Sequence, residues 1–569
     1  MKRLTVLLCL LFLLTACAKS DPSSTTAATA PAATAATAAA TTAPAEPVET
    51  TMPLPVYAPA KTAASDPKNW NIQWEILQGS RILDTFSREA GICFEPEAPY
   101  FALEGIATFR GDHLRSGATW GTAQVEGEYF SRCWSADTGA LYSSDGNKWA
   151  GCGWTGQPLA VKWDEDTKAI MNLYPEKQEK DDLVEVIYAT LDGRIYFLDL
   201  EDGSRTRDPI YVGMTFKGAG ALDPRGYPLM YVGAGDVNAE YERPRMFVIS
   251  LIDGSILYEY GHEETMQLRR DNNAWCAFDS SPLVHGETDT LIWPGENGLL
   301  YTIKLNTAYD PAAGTISVSP DAPVAIRYAT ERSGDDRYWY GFEASAAIVE
   351  NYLYISENGG MFFCIDLNTM ELVWAQDTRD DSNGSPVFEW ISEEEAYVYT
   401  APSLHWSDEG QGWGEICIYK LNALTGEIVW QAPYDVSTKE GVSGGVQATA
   451  LLGREGTSIE GLLIVPLARY GGRYCGALVA LDTQTGEEVW QMYMPLYAWS
   501  SPVAVYEPDG TAYIVCGDAE GTLTLVEGAT GYALATETVY SIIEASPIVF
   551  ENKLVIGTRG YAIHCLTIE

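Results

Sequence analysis

The sequence predicts an all-β fold, an eight-bladed β-propeller of four-stranded blades whose last blade is closed by an N-terminal strand. The first observation is a recurring phrase, in which alternating apolar residues lead into a polar turn and a second strand that ends in Trp. Its clearest copies are KLNALTGEIVW from Lys420, ALDTQTGEEVW from Ala480 and CIDLNTMELVW from Cys364. The second is a Ser-Pro-type phrase at the start of each blade. The third is a spacing of roughly 45 to 60 residues with almost no helical periodicity.

Each part of the recurring phrase has a physical reason. Alternating apolar residues suit a strand with one buried face. Gly adopts a positive φ without steric cost, and Asp or Thr side chains bond to nearby backbone groups. Burial of the terminal indole against a neighbouring blade contributes about 2–3 kcal/mol, so we expect Trp374, Trp430 and Trp490 to be structural. Met370 replaces Gly in one copy, which predicts a different turn geometry there.

Eight phrases mark the innermost strands of the blades. They are GQPLAV at Gly156, GAGALD at Gly218, SSPLVH at Ser280, ASAAIV at Ala344, GSPVFE at Gly384, GGVQAT at Gly444, SSPVAV at Ser500 and ASPIVF at Ala545. Seven are followed by a full set of strands, although NTAYDPAAG replaces the turn of the third blade. The eighth has room for about three strands before Glu569. The segment EYFSRCWSADTG, residues 128–139, resembles the second half of the repeat and is predicted to close the ring.

The N-terminus has the pattern of an export signal. Lys2 and Arg3 precede an apolar run that ends in LTAC, which predicts a lipoprotein signal peptide over residues 1–16 and lipidation of Cys17; an ordinary secretory peptide with an incidental cysteine is the alternative. Ala, Thr, Pro and Ser dominate residues 17–65, the predicted disordered linker. Residues 66–127 are expected to form an extension packed on the propeller, which spans residues 128–569. We therefore expect an exported protein, anchored by lipid to the cell membrane or outer membrane.

The charge balance excludes several classes of partner. The chain has 36 Lys and Arg against 78 Asp and Glu, a net charge of −42, which argues against nucleic acid and against anionic lipid surfaces. The acidic surface either serves solubility or attracts cations and basic partners. Nine of the eleven cysteines lie beyond the predicted anchor, without CxxC, CxxCH or adjacent pairs. We expect buried free thiols, with disulfides as the open alternative.

The lead-in GIATFRGDHLRSGATWG, residues 105–121, with the TG…W repeats, resembles the pyrroloquinoline-quinone-like (PQQ-like) propeller superfamily over most of residues 103–569. The resemblance implies eight blades. Members include quinoprotein alcohol dehydrogenases, the propeller lipoprotein of the outer-membrane β-barrel assembly machinery and extracellular sensor domains. The dehydrogenases share a vicinal disulfide, a Trp beneath the quinone and a metal held by Glu, Asn and Asp. No position here matches those motifs, so the resemblance transfers no catalytic residue and no cofactor is expected; PQQ or calcium is the alternative.

One residue of each blade is predicted to face the mouth of the central channel, three positions before the Pro position of the blade-starting phrase. These residues are Thr155, Lys217, Asp279, Glu343, Asn383, Ser443, Trp499 and Glu544. Such a polar ring suits a small organic or peptide ligand. Its carboxylates and amide oxygen also suit a hard cation such as calcium. A water-filled channel without a ligand is the third interpretation.

The leading hypothesis is a non-catalytic, monomeric envelope protein whose propeller binds another protein or an envelope polymer through its loops. The sequence has no G-x-S-x-G elbow, P-loop or HExxH motif, so no enzymatic activity is expected. Two alternatives stay open. One is a PQQ-dependent quinoprotein oxidoreductase, and the other is a ligand-sensing or solute-binding module that uses the channel.

Overall fold

Antiparallel sheets account for almost all of the regular structure in the computed structural model. The structure describes residues 56–569, except 145, 154–155, 239–242, 262–275, 334–340, 408–409, 439–442 and 473. The predicted signal peptide, Cys17 and most of the predicted linker therefore lie outside the described residues, as does Thr155. The described residues contain no helix long and apolar enough to cross a membrane.

Eight sheets, one per blade, follow each other along the described chain. Within each blade, successive strands are arranged in order from the channel to the outer edge. Blade 1 consists of Leu159–Lys162, Val184–Ala189, Arg194–Asp199 and Ile210–Tyr211. Blade 2 consists of Ala221–Leu222, Leu229–Gly233, Met246–Ser250 and Ile256–Tyr260. Blade 3 consists of Leu283–His285, Thr290–Gly295, Leu299–Lys304 and Val324–Ala329. Blade 4 consists of Ala347–Val349, Tyr352–Ser356, Met361–Asp366 and Glu371–Asp377.

The second half of the ring repeats this arrangement. Blade 5 consists of Val387–Ser392, Glu395–Thr400, Trp413–Asn422 and Ile428–Ser437. Blade 6 consists of Leu451–Leu452, Leu462–Ala468, Gly476–Asp482 and Glu488–Met494. Blade 7 consists of Val503–Tyr506, Ala512–Gly517, Thr522–Glu527 and Ala533–Thr538. Blade 8 consists of Ile548–Phe550, Lys553–Thr558, Ala562–Ile568 and the N-terminal strand Phe130–Asp137. The predicted eight-bladed propeller is confirmed.

Short hairpins, strands and helices lie between the blades or on their surface. The hairpins are Ala140–Tyr142 with Lys148–Ala150, and Ala308–Asp310 with Thr315–Ser317. The second of these is the segment that replaces the turn of blade 3. The strands Ser403–Leu404 and Gly444–Gly445 pair beside blade 6. The helices are the 3-10 helix Pro67–Trp70 and the α-helices Glu165–Ile170 and Pro175–Gln178.

The ring closes as the sequence predicts. Strand Phe130–Asp137 pairs antiparallel with Ala562–Ile568, so that Trp134 lies opposite Cys565. The Trp134 indole N–H then donates to the carbonyl of Leu200 on blade 1, at 2.9 Å. The last blade is thereby joined both to its own N-terminal strand and to the first blade.

Indole rings dock each blade onto the next. Trp374, Trp430 and Trp490 donate their N–H groups to carbonyls of the following blade, at 3.0, 3.0 and 3.1 Å. Each ring lies against the Gly of that blade's turn; a Cβ on Gly486 would lie 2.7 Å from the Trp430 ring. Because Gly486 also has a φ of +72°, any other residue there is strained and collides with the ring. The structural interpretation of these tryptophans is confirmed.

Met370 occupies the same turn in blade 4, and the expected difference in geometry is wrong. Its φ is +60°, and its amide donates to the carbonyl of Asp366 just as the Gly426 amide donates to that of Asn422. The Met370 side chain is fully buried, with its sulfur 4.0 Å from the Thr302 hydroxyl. Burial of this side chain offsets the cost of a left-handed conformation in a non-glycine residue.

The first part of the N-terminal extension packs on the outside of blades 3 to 5, and it begins before residue 66. Tyr57 is buried, with its ring 5.2 Å from that of Trp390. Residues 56–65 therefore belong to the packed extension rather than to the linker, because a buried aromatic ring holds them on the propeller. Strand Gln73–Gln78 pairs with the outer strand of blade 3 and covers its edge.

Residues 105–121 form a segment that we call the base plug. It crosses the end of the channel where the innermost strands finish. We call that end the base and the opposite end the mouth. Amides of Leu222, Ile348, Phe388 and Val549, on four different blades, donate to plug carbonyls. The plug is thus bonded into the ring as an additional inner layer.

Two arginines of the base plug are completely buried in the channel. Arg115 donates to the carbonyls of Ala346 at 2.8 Å, Phe109 at 2.8 Å and Ser281 at 3.0 Å. Arg110 donates to the carbonyl of Pro502 at 2.8 Å. Burial lowers the pKa of both guanidinium groups to about 10, which leaves them charged at neutral pH. Backbone carbonyl dipoles from several blades therefore stabilise the two charges.

A ring of hydroxyl groups links the innermost strands and fixes their register. The amides of Ser281, Ser345, Ser385, Thr449 and Ser501 each donate to the hydroxyl of the next blade, over 2.8–3.2 Å. Thr449 is therefore the blade-6 counterpart of Ser385 and Ser501. The sequence alignment, which started blade 6 at Gly444, is displaced there, because Thr449 lacks the following proline that marks most other blades.

All nine cysteines among the described residues are free thiols. Five of them are buried, at Cys152, Cys364, Cys417, Cys516 and Cys565. The buried thiols act as small apolar core residues. Cys93 and Cys133 are exposed and Cys276 and Cys475 are half-buried, so the prediction of buried thiols holds for only five of the nine.

Candidate functional site: the channel mouth

The mouth brings together most of the residues predicted for it. Lys217, Asp279, Glu343 and Asn383 are buried there, whereas Trp499 and Glu544 are partly exposed. Ser443 is buried beside the short strand Gly444–Gly445 and not at the equivalent ring position. The register of the hydroxyl ring assigns that position to Gln447, which accepts a 2.6 Å hydrogen bond from the Asn383 amide.

Lys217 on blade 2 lies on an aromatic platform. Its ammonium nitrogen is 4.3 Å from the centroid of a Trp149 ring, and the Trp149 indole N–H donates to Asp236 at 2.8 Å. Burial lowers the pKa of Lys217, while the carboxylates of Asp279 and Glu296 act in the opposite direction. The lysine is held by cation–π and charge interactions inside the mouth.

Asp279 on blade 3 is a buried carboxylate that lacks hydrogen-bond donors among the described residues. Only 2% of the residue is exposed, and neither carboxylate oxygen has a hydrogen-bond partner among the described residues. Burial raises the pKa of Asp279 to about 6; Lys217 opposes this shift and Asp236 adds to it. A carboxylate in such surroundings is costly unless a donor reaches it.

Two further carboxylates come from the neighbouring positions on blades 3 and 4. Glu296 accepts a 3.3 Å hydrogen bond from the Asn358 amide, and the Asn358 oxygen accepts one from the Glu343 backbone at 3.3 Å. Glu296 and Glu343 are more than nine-tenths buried. The side chains of the two blades thus form one polar network.

On blade 5 an Asp–His pair borders the mouth. Asp381 Oδ2 lies 3.2 Å from His405 Nδ1 and accepts from Asn383 at 3.3 Å. Burial favours the neutral imidazole, but the Asp381 carboxylate outweighs it and raises the pKa of His405. Asp380 accepts from the backbone amides of His405 and Ser407, both at 3.0 Å, so its role is to hold this loop.

Aromatic and paired groups complete the ring on blades 7 and 8. The Trp499 and Tyr497 rings lie 5.3 Å apart. Glu544 forms an ion pair with Arg559 at 3.5 Å, and Arg559 lies 5.7 Å from a Trp149 ring centroid. Trp149 therefore stands between two cations of the chain, Lys217 and Arg559.

Several mouth residues were missing from the sequence-predicted ring. Asp236 and Glu296 follow the second strand of their blades, as Glu357 and Asp518 do in blades 4 and 7. This recurrence of an acidic residue after the second strand was a usable signal. Arg559 follows the second strand of blade 8 in the same way, although it is basic, and Trp149 lies in the hairpin strand Lys148–Ala150, outside the repeat.

The motifs of the quinone site implied by the family resemblance have no match in this sequence. Among the described residues, no three His, Cys, Asp or Glu side chains form a group that could hold a metal ion. The vicinal cysteines are also missing from the sequence. We therefore derive no chemistry through a quinone or a metal.

A second recess lies at the base, between the plug and blades 5 to 7. It has a volume of about 770 Å³. Its walls mix aromatic and charged side chains, among them Trp120, Trp390, Tyr506, Arg454 and Glu460. The guanidinium of Arg454 lies 4.1 Å from the Tyr506 ring centroid.

Comparison with solved structures supports the propeller fold, and one curated protein matches a part of the sequence. No family model matches the chain. A structure of a quinohemoprotein alcohol dehydrogenase from Pseudomonas putida superposes with a TM-score of 0.51 at 12% identity, covering 82% of this chain and 80% of that one. The chain has the same propeller fold. This likeness confirms the resemblance to PQQ-like propellers at the level of fold. The structure of BamB from Moraxella catarrhalis gives a TM-score of 0.43 at 14% identity, over 72% and 96% of the two chains.

One curated relative also matches in sequence. The outer membrane protein assembly factor BamB of Kangiella koreensis is 36% identical over 117 residues, which are 20% of this chain. The match spans 29% of the relative's length.

Proposed function

We propose that this chain is a non-catalytic binding module, a lipid-anchored, monomeric envelope protein whose propeller recognises another protein or an envelope polymer. The observation that carries the proposal is the asymmetry of the channel, which is plugged at the base and lined with polar groups at the mouth. Exposed aromatic side chains lie at the same end of the blades, including Tyr142, Trp413 and Tyr540. Exposed Tyr and Trp residues are enriched in protein recognition surfaces.

Two further observations support this function. The matched relative is an outer membrane protein assembly factor, which favours protein recognition over catalysis. The signal-like start and Cys17 favour export and lipid anchoring. The partner is proposed to be a component of the same envelope.

A photo-crosslinker in place of Tyr540 tests the binding surface in intact envelopes. Tyr540 is 79% exposed at the mouth end of blade 7, and Tyr532, 68% exposed, lies at the base end of the same blade. We expect a discrete crosslinked envelope component from position 540 and none from position 532. Equal crosslinking from both positions, or none from 540, would contradict recognition at the mouth.

The quinoprotein alternative has its own test. The quinone is a tricarboxylic acid, and the buried carboxylates of the mouth disfavour an anion there. After incubation with pyrroloquinoline quinone and calcium, we expect no bound chromophore and no dye-linked alcohol oxidation. A stoichiometric chromophore with alcohol oxidation would replace our proposal with an oxidoreductase.

A further inference from the structure

On the side of the mouth formed by blades 2 to 4, several described carboxylates lie around one lysine. The ammonium of Lys217 interacts with four carboxylates, those of Asp279, Glu296, Asp236 and Glu343. Three of these, Asp279, Glu296 and Glu343, are more than nine-tenths buried. A buried carboxylate such as Asp279, which has no hydrogen-bond donor among the described residues, favours the approach of a further cation, because solvent screens it weakly.

Hydrogen bonding points in the same direction. Both oxygens of Asp279, Oδ1 of Asp381 and Oδ1 of Asn383 are buried and accept no hydrogen bond from the described residues. Each of the three residues is at most 6% exposed. These atoms are all acceptors, so a ligand that satisfies them must donate hydrogen bonds.

We propose that the mouth binds an organic cation that donates hydrogen bonds, a primary ammonium or guanidinium group, at Asp279 and Glu343 on adjacent blades. The inference rests on the proposed function and names the chemistry that the propeller recognises. Asn383 and Asp381, on the next blade, offer further acceptors to the same ligand. A metal ion fits less well because the described residues bring together no group of three His, Cys, Asp or Glu side chains that could hold it, and an anion would meet the carboxylates directly.

The cation can come from a basic side chain of a protein partner or from a free amine, and the experiment separates these sources. Binding to the full-length chain is measured by calorimetry with cadaverine, with an Ala-rich peptide containing one internal lysine, with the same peptide containing glutamine instead, and with calcium chloride. The variants are Asp279→Asn and Glu343→Gln, which preserve shape. Glu201→Gln is the control, because Glu201 is an exposed carboxylate on the outer edge of blade 1.

We expect saturable one-to-one binding of cadaverine or the lysine peptide, at least tenfold weaker in each mouth variant and unchanged in Glu201→Gln. Tighter binding of the lysine peptide identifies a partner's side chain, and tighter binding of cadaverine a free amine. Absence of amine binding, equal binding in all variants, equal binding of the glutamine peptide, or saturable binding of calcium alone would overturn the inference. Crosslinking from position 540 would still support the proposed function in those cases.

Discussion

The base and the mouth of the channel both contain buried charged side chains, but Arg115 at the base and Asp279 at the mouth differ in their hydrogen bonding. At the base, each nitrogen of the Arg115 guanidinium donates to the plug or the surrounding blades. At the mouth, Asp279 is equally buried and has no hydrogen-bond donor among the described residues. Complete hydrogen bonding makes Arg115 part of the framework, whereas Arg110 Nε, also at the base, has no hydrogen-bond partner among the described residues. The unsatisfied carboxylate makes the mouth the region where stability and binding compete.

The largest effect is expected from Arg115→Ala. This change leaves the carbonyls of Ala346, Phe109 and Ser281 without their donor and opens a cavity, so we expect a loss of about 3–5 kcal/mol in the free energy of unfolding. Denaturant unfolding followed by tryptophan fluorescence measures it. Arg205→Ala, at an exposed arginine on the edge of blade 1, is the control. A loss below about 1 kcal/mol would show that the plug does not depend on this charge.

Acid should destabilise the base through His113. Burial lowers the pKa of this imidazole to about 4, between the rings of Phe94 and Tyr100. The folded pKa is below the ordinary value of 6.5, so the stability that the neutral ring contributes is present above pH 6.5 and is lost as the pH falls towards 4. We expect His113→Phe to remove about 2–3 kcal/mol of this acid dependence.

The contribution of His405 at the mouth to stability depends on pH in the opposite direction. Its pKa is raised, so its contribution is present at low pH and is lost as the pH rises. Replacing it by Gln should therefore leave the acid-induced loss intact. An unchanged acid profile in His113→Phe would contradict the first expectation, and an identical effect of both variants would remove the contrast between the two ends.

The smallest effect is expected from Asp279→Asn, and this change should stabilise the protein instead of destabilising it. Because burial raises the folded pKa to about 6, the charged carboxylate destabilises the native state above that pH, and the cost disappears below the unfolded value of 3.8. The variant should gain about 1–2 kcal/mol at pH 8, after the lost attraction to Lys217, and nothing at pH 3.5. Unfolding curves at both pH values measure this. A loss at pH 8 would place Asp279 in the framework, like Arg115.

The repeat pattern predicted the framework well because each part of it has one structural role. The TG…W phrase determined the turns, the docking indoles and the closing strand, and all three were recovered. Met370 was misjudged because sequence alone could not show that burial of its side chain stabilises a left-handed turn. Blade 6 was misaligned because Gly444 and Gly445 imitate the start of a blade, whereas Thr449 has no following proline.

The channel was harder to predict for a different reason. Arg110 and Arg115 are charged residues in a polar segment, and such a pattern ordinarily indicates exposure. Their burial depends on carbonyls from blades that are distant in sequence. The mouth acids had a partial signal in the repeat, but the contact of Asp236 with Trp149 comes from a hairpin that lies outside it.

Closure of blade 8 also orders the events of biosynthesis. Cys133 and Thr567, whose side chains meet across the closing strands, are 434 residues apart. Seven blades can be synthesised before the partner of strand Phe130–Asp137 exists, and until then that strand is an unpaired edge. A prematurely terminated chain keeps this edge open to proteases, so the ring distinguishes finished from unfinished translation products.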